Sequence, residues 1–129
     1  MPHRTFAAFA IVIVIGLGAA SAQTVRVEFP PDAKPLAPEA LKERLAGKVF
    51  KVSLADGTSW RLEYRANGSY FVNTSRGFNA TGNWRVEGST TCSETARSPL
   101  ICSEVRLVGD TIYLKRGVDP GEVLKLEPN

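Results

Sequence analysis

Between residues 48 and 127 the chain alternates apolar and polar side chains in short runs, most of them ended by a glycine-containing turn. Alternation at period two puts one set of side chains on one face, so each run predicts a half-buried β-strand. Residues 48–54 carry Phe50, Val52 and Leu54 on one side, and Asp56-Gly57 supplies a tight-turn signal. Residues 59–65 return with Trp60, Leu62 and Tyr64. Asn67-Gly68 is the next turn, and residues 69–74 follow with Tyr70 and Val72. A looser loop with Gly77 and Phe78 leads into residues 81–87, where Trp84 and Val86 share a face. Residues 89–100 are polar and predict an irregular segment. Residues 101–108 present Val105 and Leu107, Gly109-Asp110 turns into residues 111–116 with Ile112 and Leu114, and a last run carries Leu124 and Leu126.

Ahead of the strands the spacing differs. Residues 23–29 alternate and predict a short strand or an extended arm, and residues 30–38 hold four prolines and predict an extended linker. A short helix is predicted over residues 38–46, with Pro38 in its first turn, Glu39 near its positive end, Leu41 and Leu45 on one face and Gly47 as the stop. It is too short to stand alone and must pack on another element. The fold class is therefore all-β and mainly antiparallel: a small up-and-down β-barrel or sandwich of about seven to eight strands with one short N-terminal helix. Closing the sheet also removes edges open to aggregation.

Residues 1–22 read as an export signal: a basic start at His3 and Arg4, an apolar run from Phe6 to Ala20, and Ala20-Ser21-Ala22 before Gln23. The run is about 15 residues, short for a membrane span, and no second apolar stretch approaches that length. The organisation that follows is a signal over 1–22, an extended arm over 23–37 and a single β-barrel-like domain over 38–129. Cleavage after Ala22 leaves 107 of the 129 residues and removes the only histidine and the only methionine. The sixteen basic and thirteen acidic residues give +3, and loss of Arg4 leaves +2. The charges are interspersed, which argues against a nucleic-acid footprint. Export to the periplasm or beyond implies an oxidising compartment, where Cys92 and Cys102 are expected to form a disulfide.

The composition narrows the chemistry. Without histidine, neither a Ser-His nor a Cys-His triad can be built, and no Asp-x-Asp-x-Asp loop offers a metal site. No metal and no cofactor are expected. A carboxylate pair drawn from Glu63, Glu87 and Glu104 could in principle cleave a glycosidic bond, but each lies next to or near an arginine on the face opposite the apolar set, as solvated surface pairs do. Asn67, Asn73 and Asn79 stand in Asn-x-Ser/Thr sequons and read as polar turn and strand residues.

One internal echo stands out: Trp60-Arg61-Leu62-Glu63 recurs as Trp84-Arg85-Val86-Glu87. Gly82-Asn83-Trp84, followed by Cys92, Cys102 and Gly109-Asp110, resembles a loose group of small exported bacterial β domains of uncharacterised function. In outline the chain is also similar to lipocalin-like and avidin-like barrels, in which a helix or arm precedes a meander. The likeness covers roughly residues 45 to 127. It implies a periplasmic protein with a binding or structural role.

These observations lead to a non-enzymatic binding or accessory protein. Trp60, Tyr64, Tyr70 and Trp84 are the candidates to hold a small amphipathic ligand at a barrel mouth, against the plainer reading that period-two aromatics form the core. The alternative is a protein-facing inhibitor or envelope assembly factor acting through loops over residues 75–80 and 93–100, with Arg76, Phe78 and Arg97 as contacts. An envelope protein is then the partner. A carboxylate hydrolase ranks last.

Overall fold

The Asp56-Gly57 and Asn67-Gly68 signals each become a hairpin turn. Asp56 Oδ1 accepts from the Thr58 amide at 2.9 Å and Asn67 Oδ1 from the Ser69 amide at 2.9 Å. Gly68 has φ +91°, which a side chain would disfavour. The computed structural model describes Gly16 and residues 25–129. The predicted export signal over 1–22 lies, apart from Gly16, outside the described residues.

The elements in chain order are β1 (Lys34–Pro35), α1 (Pro38–Leu45), β2 (Lys48–Ser53), β3 (Ser59–Tyr64), β4 (Ser69–Thr74), β5 (Asn79–Glu87), β6 (Thr90–Thr95), β7 (Ser98–Val108), β8 (Thr111–Lys115) and β9 (Val123–Pro128). All strand pairings are antiparallel, and β2 to β9 close on themselves as an eight-stranded meander barrel, with β2 pairing β9 and β7 pairing β8. The two-residue β1 adds to the barrel wall, Lys34 opposite Leu107. The extended arm is docked rather than free. Phe29 lies under the Arg106 guanidinium at 4.4 Å, and the Val123 amide donates to the Arg26 carbonyl. Among the described residues no helix is long and apolar enough to cross a membrane.

Register explains why the alternation works. Leu62 pairs with both Phe50 and Val72, Tyr64 with Tyr70, Ile112 with Leu107 and Leu126, and Leu114 with Val105 and Leu124. Apolar side chains thus meet apolar side chains around much of the barrel, each buried large one stabilising by about 1.5–3 kcal/mol. Charged groups stay outside in same-strand pairs: Arg61 and Arg65 with Glu63, Arg85 with Glu87, Arg106 with Glu104. Such exposed pairs contribute little to stability. The Asn73 side-chain amide donates to Asn79 Oδ1 at 2.8 Å, joining β4 to β5.

One end of the barrel is sealed. Helix α1 lies against β2 and β5, and Leu41 and Leu45 are fully buried. Past its C-cap Ala46, the Gly47 amide donates to the Tyr64 carbonyl at 2.7 Å and turns the chain into β2. The opposite end carries the turns after β2, β4 and β6 and the connection from β8 to β9, and it is open.

The expectation of an irregular segment over residues 89–100, and with it a loop over 93–100, is corrected. These residues form β6 and the start of β7, with only Ala96 and Arg97 between them. Two physical features make the hairpin. Cys92 and Cys102 lie directly opposite each other, Cα atoms 4.0 Å apart, and are joined by the disulfide. Thr90, Thr91 and Thr95 are β-branched and suit a pleated surface. The loop over residues 75–80 is likewise shorter than expected, because β5 begins at Asn79.

Gly82 marks a sharp corner of the wall. A Cβ there would run into the Glu94 carbonyl on β6, so no larger residue fits without moving one strand off the other.

Candidate functional site

The open end leads into a cavity of about 220 Å³ with two unlike walls. On β3 and β4 it is lined by Trp60, Leu62, Tyr64, Tyr70 and Val72, with Phe78 at the rim. On β6 and β7 it is lined mostly by hydroxyl groups, Thr91, Ser93, Thr95, Ser98 and Ser103, with Ile101 among them, and Leu114 and Leu124 of β8 and β9 add an apolar stretch. Pairing accounts for the second wall. Val86 faces Thr91 and Trp84 faces Ser93 across β5–β6, so the inward phase of β5 passes to hydroxyl-bearing residues on β6. Thr91 in turn faces Ser103 on β7.

Some of these hydroxyls are satisfied within the barrel. Ser103 Oγ accepts from the Gly117 amide at 3.1 Å, and the Thr95 and Ser98 hydroxyls pair at 2.8 Å. Thr91 is not: only 3 % of its surface is exposed, and its Oγ1 is buried with no hydrogen-bond partner among the described residues. A buried polar atom left unpaired costs about 1–3 kcal/mol, so this one marks a place where a bound molecule would be stabilised.

Arg116 completes the lining, at the mouth. It follows Ile112 and Leu114 in the inward phase of β8, and its guanidinium stacks over Trp60 at 4.8 Å. The outer mouth adds Arg76, which donates to Thr58 Oγ1 at 2.8 Å and to Asp56 Oδ2 at 3.3 Å. Asp56 is held below the usual carboxylate range by its hydrogen bonds from Thr58, with the Arg76 charge adding to the effect.

The four aromatic candidates divide. Trp60, Tyr64 and Tyr70 line the cavity, whereas Trp84 does not. Trp84 sits towards the sealed end, its indole N–H donating to the Arg65 carbonyl at 2.8 Å and its ring edge-on to Tyr64 at 5.4 Å. The three partner candidates come together at the rim instead of projecting from it. Phe78 lines the cavity, Arg97 stacks over it at 4.7 Å, and Arg76 is engaged by Asp56 and Thr58. Glu63, Glu87 and Glu104 are on the outer face and do not converge. Glu87 lies beside both sulfurs, but these are bonded to each other, which leaves a lone carboxylate. Sequence reasoning missed Thr91, Ser93, Ser103 and Arg116, although the inward phase of the neighbouring strands passes through each of them.

The buried phenols shape the alkaline limit of the fold. Burial pushes Tyr70 up to about 12, against a hydrogen bond from Ser93 and the Arg116 charge, which pull it down. Burial also raises Tyr64 well above the ordinary tyrosine range, and its neighbour Tyr70 raises it further. Both folded-state values lie above the unfolded value near 10, so the unfolded chain gives up its protons first as pH rises. The stabilisation is complete below pH 10 and is lost as pH climbs towards 12, by about 2–3 kcal/mol for Tyr70 alone. Urea unfolding between pH 8 and 12 is expected to show this fall, and Tyr70→Phe to flatten it.

The fold and the site together define a closed antiparallel barrel with an amphipathic interior, open at one end. No protein-family model matches the chain, and no curated protein matches it in sequence.

Proposed function

We propose that this is an exported, non-enzymatic binding protein that holds a small amphipathic molecule inside its barrel. The observation that carries this reading is the divided cavity, with an aromatic wall from Trp60 to Tyr70 and a wall rich in hydroxyls from Thr91 to Ser103, in which the Thr91 hydroxyl has no partner among the described residues. A wholly apolar core would have no use for these hydroxyls, and a ligand with one apolar face and one polar edge fits both walls. The volume is below the roughly 300–1,000 Å³ of drug-sized sites, which favours a small ligand. The disulfide supports a place in the periplasm or outside the cell. That Arg76 and Arg97 are engaged within the rim weighs against the loop-borne inhibitor.

The test is a small-molecule screen by tryptophan fluorescence and thermal shift, with Ser93→Leu as a cavity-filling control. Ligands are expected to bind the native protein and to fail on Ser93→Leu, which keeps its fold. No ligand at all, or ligands that bind both proteins equally, would overturn the reading.

A further inference from the structure

We infer that the ligand is an organic monocarboxylate with an apolar or aromatic body, and that Arg116 is the residue that selects its charge. The inference rests on the cavity being a ligand site. Among the described residues Arg116 is the only one lining the cavity that carries a full charge, and no carboxylate lines it. Among the described residues Arg61, Arg65, Arg76, Arg85 and Arg106 form ion pairs away from the cavity, whereas Arg116, like Arg97 at the rim, takes part in none. Two acids share the outer mouth with Arg116: Asp56 is taken by Arg76 and Thr58, and Glu122, whose backbone carbonyl accepts from the Arg116 amide at 3.0 Å, forms no ion pair with its guanidinium.

The guanidinium is held at the rim by the Trp60 ring and forms no ion pair among the described residues. A partly buried cation of this kind gains most from an anion that shares its low-dielectric surroundings. Two parallel N–H donors match the two oxygens of a carboxylate, and stacking on an aromatic face keeps the fork in plane without using those donors. With the carboxylate at the mouth, the body of the ligand lies along Tyr70 and Leu62. A polar substituent on that body would reach the hydroxyl wall, where Thr91 Oγ1 has no partner of its own.

Matched pairs of acid and amide separate the charge from the shape. Tryptophan fluorescence of a Trp84→Phe chain, in which Trp60 is the remaining indole, is titrated with benzoate and benzamide, phenylacetate and phenylacetamide, and hexanoate and hexanamide. With Arg116 in place this chain is expected to bind the acid of a pair about tenfold or more tightly than its amide. Arg116→Gln is expected to erase that preference, acid affinity falling to that of the amide, and Arg116→Lys to retain part of it. Equal binding of acid and amide, or a preference that survives Arg116→Gln, overturns the inference and leaves the cavity reading intact. Binding of neither member of any pair overturns both.

Discussion

Replacing Trp84 with alanine is expected to lower the unfolding free energy by about 3–5 kcal/mol, the range for removing a large buried aromatic. The indole is 7 % exposed, packs against Tyr64 and satisfies the Arg65 carbonyl. Its loss would leave a void next to the sealed end and remove one of the two hydrogen bonds to the Arg65 carbonyl, which also accepts from the Gly68 amide at 3.0 Å. Trp84→Phe keeps much of the packing but not the donor, and should lose about 1 kcal/mol from that bond. Trp60→Ala is the contrast. Trp60 is only partly buried, so its removal should destabilise far less than that of Trp84 but abolish ligand-induced changes at the mouth. Chemical denaturation of the three variants checks this, and equal losses for the two alanine variants would show that the tryptophans do the same work.

Leu45→Ala should lower stability by about 2–5 kcal/mol, although the change lies in a helix of only eight residues. Such a helix has no stability of its own, so whatever holds it must come from packing. Leu41 and Leu45 supply that packing, both fully buried at the barrel end. Leu41→Ala should behave similarly, and the double variant should fall short of the sum because the two share one pocket. A loss below about 1 kcal/mol for each would mean that the helix rests on the barrel without sealing it.

Much of the barrel was legible because its interior is dry over most of its circumference. Where Phe50, Leu62, Val72, Leu114 and Leu126 meet inside, hydrophobicity itself reports the strand phase, and Gly57 and Gly68 report the turns. The reading failed where the interior turns polar. Residues 91, 93 and 95 keep the same period, but hydroxyl groups carry it, so the segment resembles a loop when only apolar residues are counted. Arg116 was missed for the same reason, being a charge in an inward phase. The repeat of Trp60-Arg61-Leu62-Glu63 as Trp84-Arg85-Val86-Glu87 does not reveal depth along the barrel. Trp60 is the second residue of β3 and Trp84 the sixth of β5, so two like motifs stand at different depths in the barrel. The pairing of β1 with β7 depends on contacts too distant in sequence for any local pattern to reveal.

An amide and methyl NMR titration with the tightest-binding carboxylate tests the divided cavity most directly. Shifts concentrated at Trp60, Tyr70, Thr91, Ser93 and Arg116, with Trp84 and the outer Glu63 and Glu87 unchanged, are the predicted result. Shifts confined to the outer strand faces, or to the groove between Pro38, Lys42 and Asn67 at the sealed end, would contradict it.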